Sequence, residues 1–168
     1  MRYGFDIPLM VFDVESCGLH GEGFAVGWAV MGGGRLMADG IAVAPAPERI
    51  EWVEENVMPV LPQPTHRTTR ELRDEFWQIW LAWRERGAFL AADVPWPVEA
   101  RFLARCVDDS AERYWCGPYP LIDIASLRLA VGLDPFATVE RTPFEEPMHN
   151  PLADARQSAR LALEVLAR

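Results

Sequence analysis

Leu9-Met10-Val11-Phe12-Asp13-Val14-Glu15 is the stretch on which the fold class turns. Leu9 to Val14 is apolar and rich in strand formers, and it breaks into two acidic residues at its end. Two further apolar runs follow, Phe24 to Met31 and Leu36 to Val43. Between them stands Gly32-Gly33-Gly34-Arg35, a hairpin signal; no helix opening with Lys-Ser or Lys-Thr follows, so it reads as a tight turn and not a phosphate-binding loop.

Beyond the three strands the pattern changes to alternation. Residues 44–67 are irregular, with five prolines and room for a short helix over Glu48 to Val57. Thr68 and Glu71 are spaced as a capping box, apolar residues recur at Leu72, Phe76, Ile79, Trp80 and Trp83, and Gly87 stops that helix. Trp77, Trp80 and Trp83 at helical spacing read as core, not as a base-stacking platform. Ala88 to Ala92 is a short strand ending at Asp93; Val98 to Val107 is a helix. Leu121 to Ile124 is a strand and Ala125 to Val131 a helix. The last helix has Asn150 as N-cap, Pro151 in its first position, and a stripe of Leu152, Ala155, Ala159, Ala162, Leu163 and Leu166. Three strands followed by helix, strand, helix, strand, helix give an α/β fold with five strands, expected as one domain over residues 1–168.

Composition narrows the function. The chain has 16 basic against 25 acidic residues, a formal charge of −9, and every base is arginine. The absence of lysine excludes Schiff-base chemistry and lysyl-nucleotidyl intermediates. A charge of −9 argues against a protein that coats nucleic acid, which needs a broad basic surface, but not against one that holds a single strand end beside metal ions. Three cysteines, Cys17, Cys106 and Cys116, match no zinc spacing and point to a reduced interior. The N-terminal run is interrupted by Asp6 and Asp13, so no signal-peptide core fits, and no apolar run approaches a membrane span. The expected location is the cytoplasm, with no membrane partner.

Two clusters carry chemistry. In a strand, residues i and i+2 share a face, so Asp13 and Glu15 stand side by side, roughly 6–7 Å apart along the backbone, with Phe12 and Val14 opposite. Such a pair is either hydrated at an emerging strand end or shares a cation. In Met148-His149-Asn150-Pro151-Leu152-Ala153-Asp154-Ala155, a His just outside a helix start and an Asp one turn inside it can meet at one site. Taken singly, Asp154 is also a good first-turn carboxylate and His149 an ordinary loop residue.

In this order along the chain the clusters resemble the DEDDh group of 3′→5′ exonucleases, the ribonuclease-H-like family that includes polymerase proofreading domains, RNase T and oligoribonuclease. Phe12-Asp13-Val14-Glu15-Ser16-Cys17-Gly18-Leu19 resembles the first motif, with Ser16 and Cys17 in place of its threonines, and His149 to Ala155 resembles the third in its His form. The second motif departs from the family. Glu99-Ala100-Arg101-Phe102-Leu103 has its trailing pattern but with Glu, while Asp93 stands at the strand end. Asp93 is the preferred ligand, because a strand end holds a carboxylate more rigidly than a residue after a proline-rich loop; Glu99 is the alternative.

The resemblance implies a ribonuclease-H-like mixed five-stranded sheet flanked by helices, and metal-dependent removal of nucleoside 5′-monophosphates from the 3′ end of single-stranded RNA or DNA. It implies two divalent cations, Mg²⁺ or Mn²⁺, about 4 Å apart on hard carboxylate oxygens. Asp13 would bridge the ions, Glu15 and Asp154 would complete one shell, and Asp93 would serve the second motif. His149 would be the general base, and the backbone at Ser16, Cys17, Gly18 and Leu19 would hold the terminal nucleotide. Cys17 itself reads as a packing residue, since water is the nucleophile in this chemistry. Relatives form dimers, which leaves a homodimer open here. The competing reading is a catalytically silent ribonuclease-H-like module that binds nucleic acid or protein.

Overall fold

The computed structural model describes residues 7–167, so Asp6 lies outside the described residues. Five strands form one mixed sheet: β1 (Leu9–Ser16), β2 (Gly23–Gly32), β3 (Arg35–Val43), β4 (Phe89–Ala92) and β5 (Leu121–Asp123), in the order β3-β2-β1-β4-β5. The first three pair antiparallel, and β4 and β5 are added parallel to β1. The helices are α1 (Glu51–Asn56), α2 (Thr69–Arg84), α3 (Val98–Asp108), α4 (Ile124–Ala130) and α5 (Pro151–Leu166). This is the five-stranded α/β fold that the alternation of elements predicts, and its mixed sheet flanked by helices is the ribonuclease-H-like arrangement that the resemblance implies.

The local signals act as their chemistry requires, with one displacement. Gly33 and Gly34 both take left-handed backbone (φ +57° and +74°) in the two-residue turn that joins β2 to β3. Thr68 Oγ1 accepts the Glu71 N–H at 3.1 Å and so caps α2. The Glu71 carboxylate accepts the Arg67 N–H instead of the Thr68 one, so the reciprocal bond falls one residue early. Asn150 Oδ1 accepts from the N–H groups of Leu152 and Ala153, and its Nδ2 donates to the Val60 carbonyl, which ties the start of α5 to the irregular segment after α1.

The two faces of β1 bury different cores. Met10, Phe12 and Val14 pack with Phe76, Trp77 and Trp80 of α2 and with Phe102, Leu103 and Cys106 of α3. Trp77 and Trp80 are fully buried, so the tryptophan stripe is core. Leu9 and Val11 on the other face pack against Ala155, Ala159 and Ala162 of α5. Small residues there bring α5 close to the sheet. The closest approach is at Gly27, the cross-strand partner of Asp13: a Cβ built on it would sit 2.2 Å from the Leu152 nitrogen and the Pro151 carbonyl carbon. Among the described residues no helix is long and apolar enough to cross a membrane.

Gly27→Ala has no flexible side chain to displace, only the first turn of α5. Overpacking of this kind costs about 1–3 kcal/mol or more. Urea unfolding is expected to show at least that loss, with a weakened Asp154 site; a variant as stable as the parent would refute the contact.

Candidate metal centre

The parity of β1 that buries Leu9 and Val11 under α5 also aims Asp13 and Glu15 at that helix, where it begins. Asp154, one turn inside α5, meets them there: one carboxylate oxygen from each of Asp13, Glu15 and Asp154 lies within 4.8 Å of the others. All three residues are partly buried. Burial is the largest influence on the Asp13 carboxyl and pushes it well above the usual range; the charges of Glu99, Asp154, Glu15 and Asp93 push it further. Burial, with Asp154 and Glu99 beside it, raises Glu15 to about 8. Like charges are thus forced together at one point without enough water to screen them.

The two second-motif candidates occupy different places. Asp93 follows β4, which runs parallel beside β1. Its carboxyl, raised chiefly by burial, lies in the field of Arg128 and near Asp123, and its charge is the weakest of the four that act on Asp13. Glu99 is buried in the first turn of α3, and its Oε1 accepts the Val14 N–H at 3.3 Å, between the two acidic residues of β1. Burial raises it to about 7, and it is the strongest charged neighbour of Asp13. Glu99 thus touches β1 directly and acts more strongly on the Asp13 carboxyl, whereas Asp93 lies in the field of Arg128; the grouped triad itself is Asp13, Glu15 and Asp154.

His149 lies at the α5 entrance, partly buried and in left-handed backbone (φ 62°), a conformation that costs a non-glycine residue of order 1 kcal/mol or more and that recurs at functional sites. Its ring meets Trp52 of α1 edge-on, with centroids 5.1 Å apart, and after Arg141 it is among the groups that oppose the burial-driven rise of Asp154. The Ser16–Leu19 loop closes on itself. Ser16 Oγ donates to the Gly18 carbonyl, Gly18 takes φ +77°, and Leu19 projects outward, 67% exposed. Cys17 is buried beside Phe24, Val53 and Val57, and burial pushes its thiol up, as befits packing and not nucleophilic attack.

Three residues of this site carry no legible signal in the sequence. Trp52 sits in a six-residue helix that looks like any short segment between prolines. Gly27 falls in the middle of an apolar strand, where an isolated glycine hints at close approach, but not at what approaches. Arg141, within a segment without regular structure, places Nη2 2.5 Å from Asp154 Oδ1 while Nη1 donates to the Glu145 carbonyl. That ion pair holds a buried Asp154 oxygen against a cation and is the main influence opposing the burial-driven rise of its carboxyl.

No family model matches the chain, and no curated relative matches its sequence.

The donor set fits a hard divalent cation. It is all carboxylate oxygen and its members repel one another, although Arg141 already pairs with one Asp154 oxygen. Raised carboxyl pKa values set the sign of the pH dependence. A folded-state value of about 8 for Glu15, against 4.5 unperturbed, contributes stability below pH 4.5 that is lost as pH rises toward 8. Melting of the chelator-treated protein should therefore fall across that window, more steeply than in Glu15→Gln, and Mn²⁺ should restore the loss at the alkaline end. Equal slopes in the two proteins would show that Glu15 ionises freely.

Proposed function

We propose that the chain is a cytoplasmic, metal-dependent 3′→5′ exonuclease that hydrolyses the terminal phosphodiester of single-stranded RNA or DNA and releases nucleoside 5′-monophosphates. The observation that carries this reading is the meeting of Asp13, Glu15 and Asp154 within 4.8 Å, with Glu99 and His149 at its edge. The order of these residues along the chain is that of the exonuclease motifs described above.

Asp13, Glu15, Asp154 and Glu99 would hold two Mg²⁺ or Mn²⁺ ions. When bound, these ions supply charge neutralisation at the phosphorus and a water of lowered pKa. Glu99 takes the second-motif role in this reading, since it lies nearer Asp13 in its electrostatic effect and is anchored on the Val14 N–H. Asp93 is assigned outside the ligand set, facing Arg128.

His149 accepts the proton of the attacking water. Its left-handed backbone and the edge of Trp52 fix the imidazole against the α5 entrance, so the base need not be searched for among rotamers. The Ser16–Leu19 loop receives the terminal nucleotide, and the exposed Leu19 side chain offers a face against which its base can pack.

A 5′-labelled single strand should shorten stepwise from its 3′ end in Mg²⁺ or Mn²⁺, and EDTA should stop it; internal cuts, or activity indifferent to EDTA, would reject the reading. Asp13→Asn should abolish turnover with an unchanged circular dichroism spectrum. His149→Ala should lower kcat by roughly 10²–10⁴-fold and leave Mn²⁺ affinity, measured by calorimetry, nearly unchanged. Glu99→Gln should lose most activity at saturating Mn²⁺ and Asp93→Asn much less. The opposite order would return the second motif to Asp93.

A further inference from the structure

Arg128 of α4 is 6% exposed, so its guanidinium is withdrawn from water. The other deeply buried arginine, Arg73, is neutralised by Glu22 and by a two-pronged contact with Asp109. Among the described residues Arg128 has no such ion pair. Its Nη2 donates to the Asp134 carbonyl at 3.2 Å, while its Nε–H is buried with no hydrogen-bond partner at all. A buried cation with an idle donor is costly unless something else completes it.

The side chain lines a cavity of about 420 Å³ between α4, residues 133–148 and α5. The volume is that of a small-molecule site. Arg141, which pairs with Asp154 on its other side, is a second cation on its wall, and Thr138 and Gln157 add neutral hydrogen-bonding groups; Met148 and Leu161 supply apolar surface. Glu140 and Glu146 also line it but are exposed, and Asp93 on the same wall lies first in the field of Arg128 and then of Asp123 and Asp154, without an ion pair to Arg128. The cavity is on the β4–β5 side of β1, away from the Ser16–Leu19 loop that leads into β2.

We propose that this cavity binds a nucleoside 5′-monophosphate, with its phosphate on Arg128 and Arg141 and its base against Met148 and Leu161. A planar guanidinium fork suits phosphate oxygens, and with Nε sealed in the interior and Nη2 on the Asp134 carbonyl, Nη1 of Arg128 is the donor left for such an anion. The anion site stands on the buried arginine alone; the choice of a nucleotide among phosphate monoesters rests on the proposed exonuclease reading, whose product it is.

Calorimetry on the whole protein in EDTA tests the site apart from catalysis. Adenosine 5′-monophosphate should bind once per chain, inorganic phosphate more weakly, and adenosine not measurably. A 5′-phosphorylated dinucleotide in the same experiment separates a free mononucleotide from the phosphorylated end of a strand: equal binding would assign the site to strand ends. Arg128→Met should weaken the monophosphate by about tenfold or more. Ala137→Trp, which fills the exposed mouth of the cavity and leaves Arg128 in place, should do the same and decides the matter if the arginine variant does not fold. Absence of saturable binding at millimolar monophosphate, unchanged affinity in a folded variant, or adenosine binding as tightly as its phosphate would overturn the proposal. An inactive protein that binds the monophosphate would reject the nuclease and keep the site; an active one that does not would reject the site alone.

Discussion

The missing side chain at Gly27 is the constraint on which the architecture of the site depends. Its hydrogen leaves room for Pro151 and Leu152 to lie directly on the sheet, beside the cross-strand position of Asp13. Every other feature of the α5 face follows from that approach. Alanines at 155, 159 and 162 keep the helix close along its length, and the Asn150 cap fixes where its first turn begins. Asp154 then lies one turn in, at the depth of Asp13 and Glu15.

The convergence is electrostatically unfavourable by itself. Folding concentrates carboxylates at one edge of β1, and the protein offsets this only in part, through Arg141 on Asp154 and the Val14 N–H on Glu99. Stability for that arrangement comes from elsewhere: the aromatic core formed by Phe12, Phe76 and Phe102 with Trp77 and Trp80 on the opposite face of the same strand. One strand thus carries the densest packing on one side and the least compensated charge on the other.

Much of this was legible in the residues and some was not, for physical reasons. Period-two alternation, the Gly33-Gly34 turn and the Asn150-Pro151 helix start are local signals, and local signals survive in sequence. So the strands, the helices and the pairing of Asp13 with Glu15 could be read directly. The choice between Asp93 and Glu99 could not, because it depends on the path of the proline-rich link from β4 into α3, which sets the α3 start against the Val14 N–H. Arg128 and Arg141 were invisible for a similar reason. Their meaning lies in which buried groups have partners and which lack them, a property of the assembled interior and not of any window of residues.

The parity of β1 also bears on how the chain tolerates changes in length. Alternate residues of this strand face an aromatic core and a carboxylate cluster, so a single inserted or deleted residue within it exchanges the two sets. Asp13 and Glu15 would be driven among Phe76 and Trp77, and phenylalanine would occupy the entrance of α5. At the exposed Gly33-Gly34 tip the same insertion disturbs only a turn. Length variation among sequences that share this architecture should accordingly gather at the β2–β3 tip and be absent from the eight residues of β1.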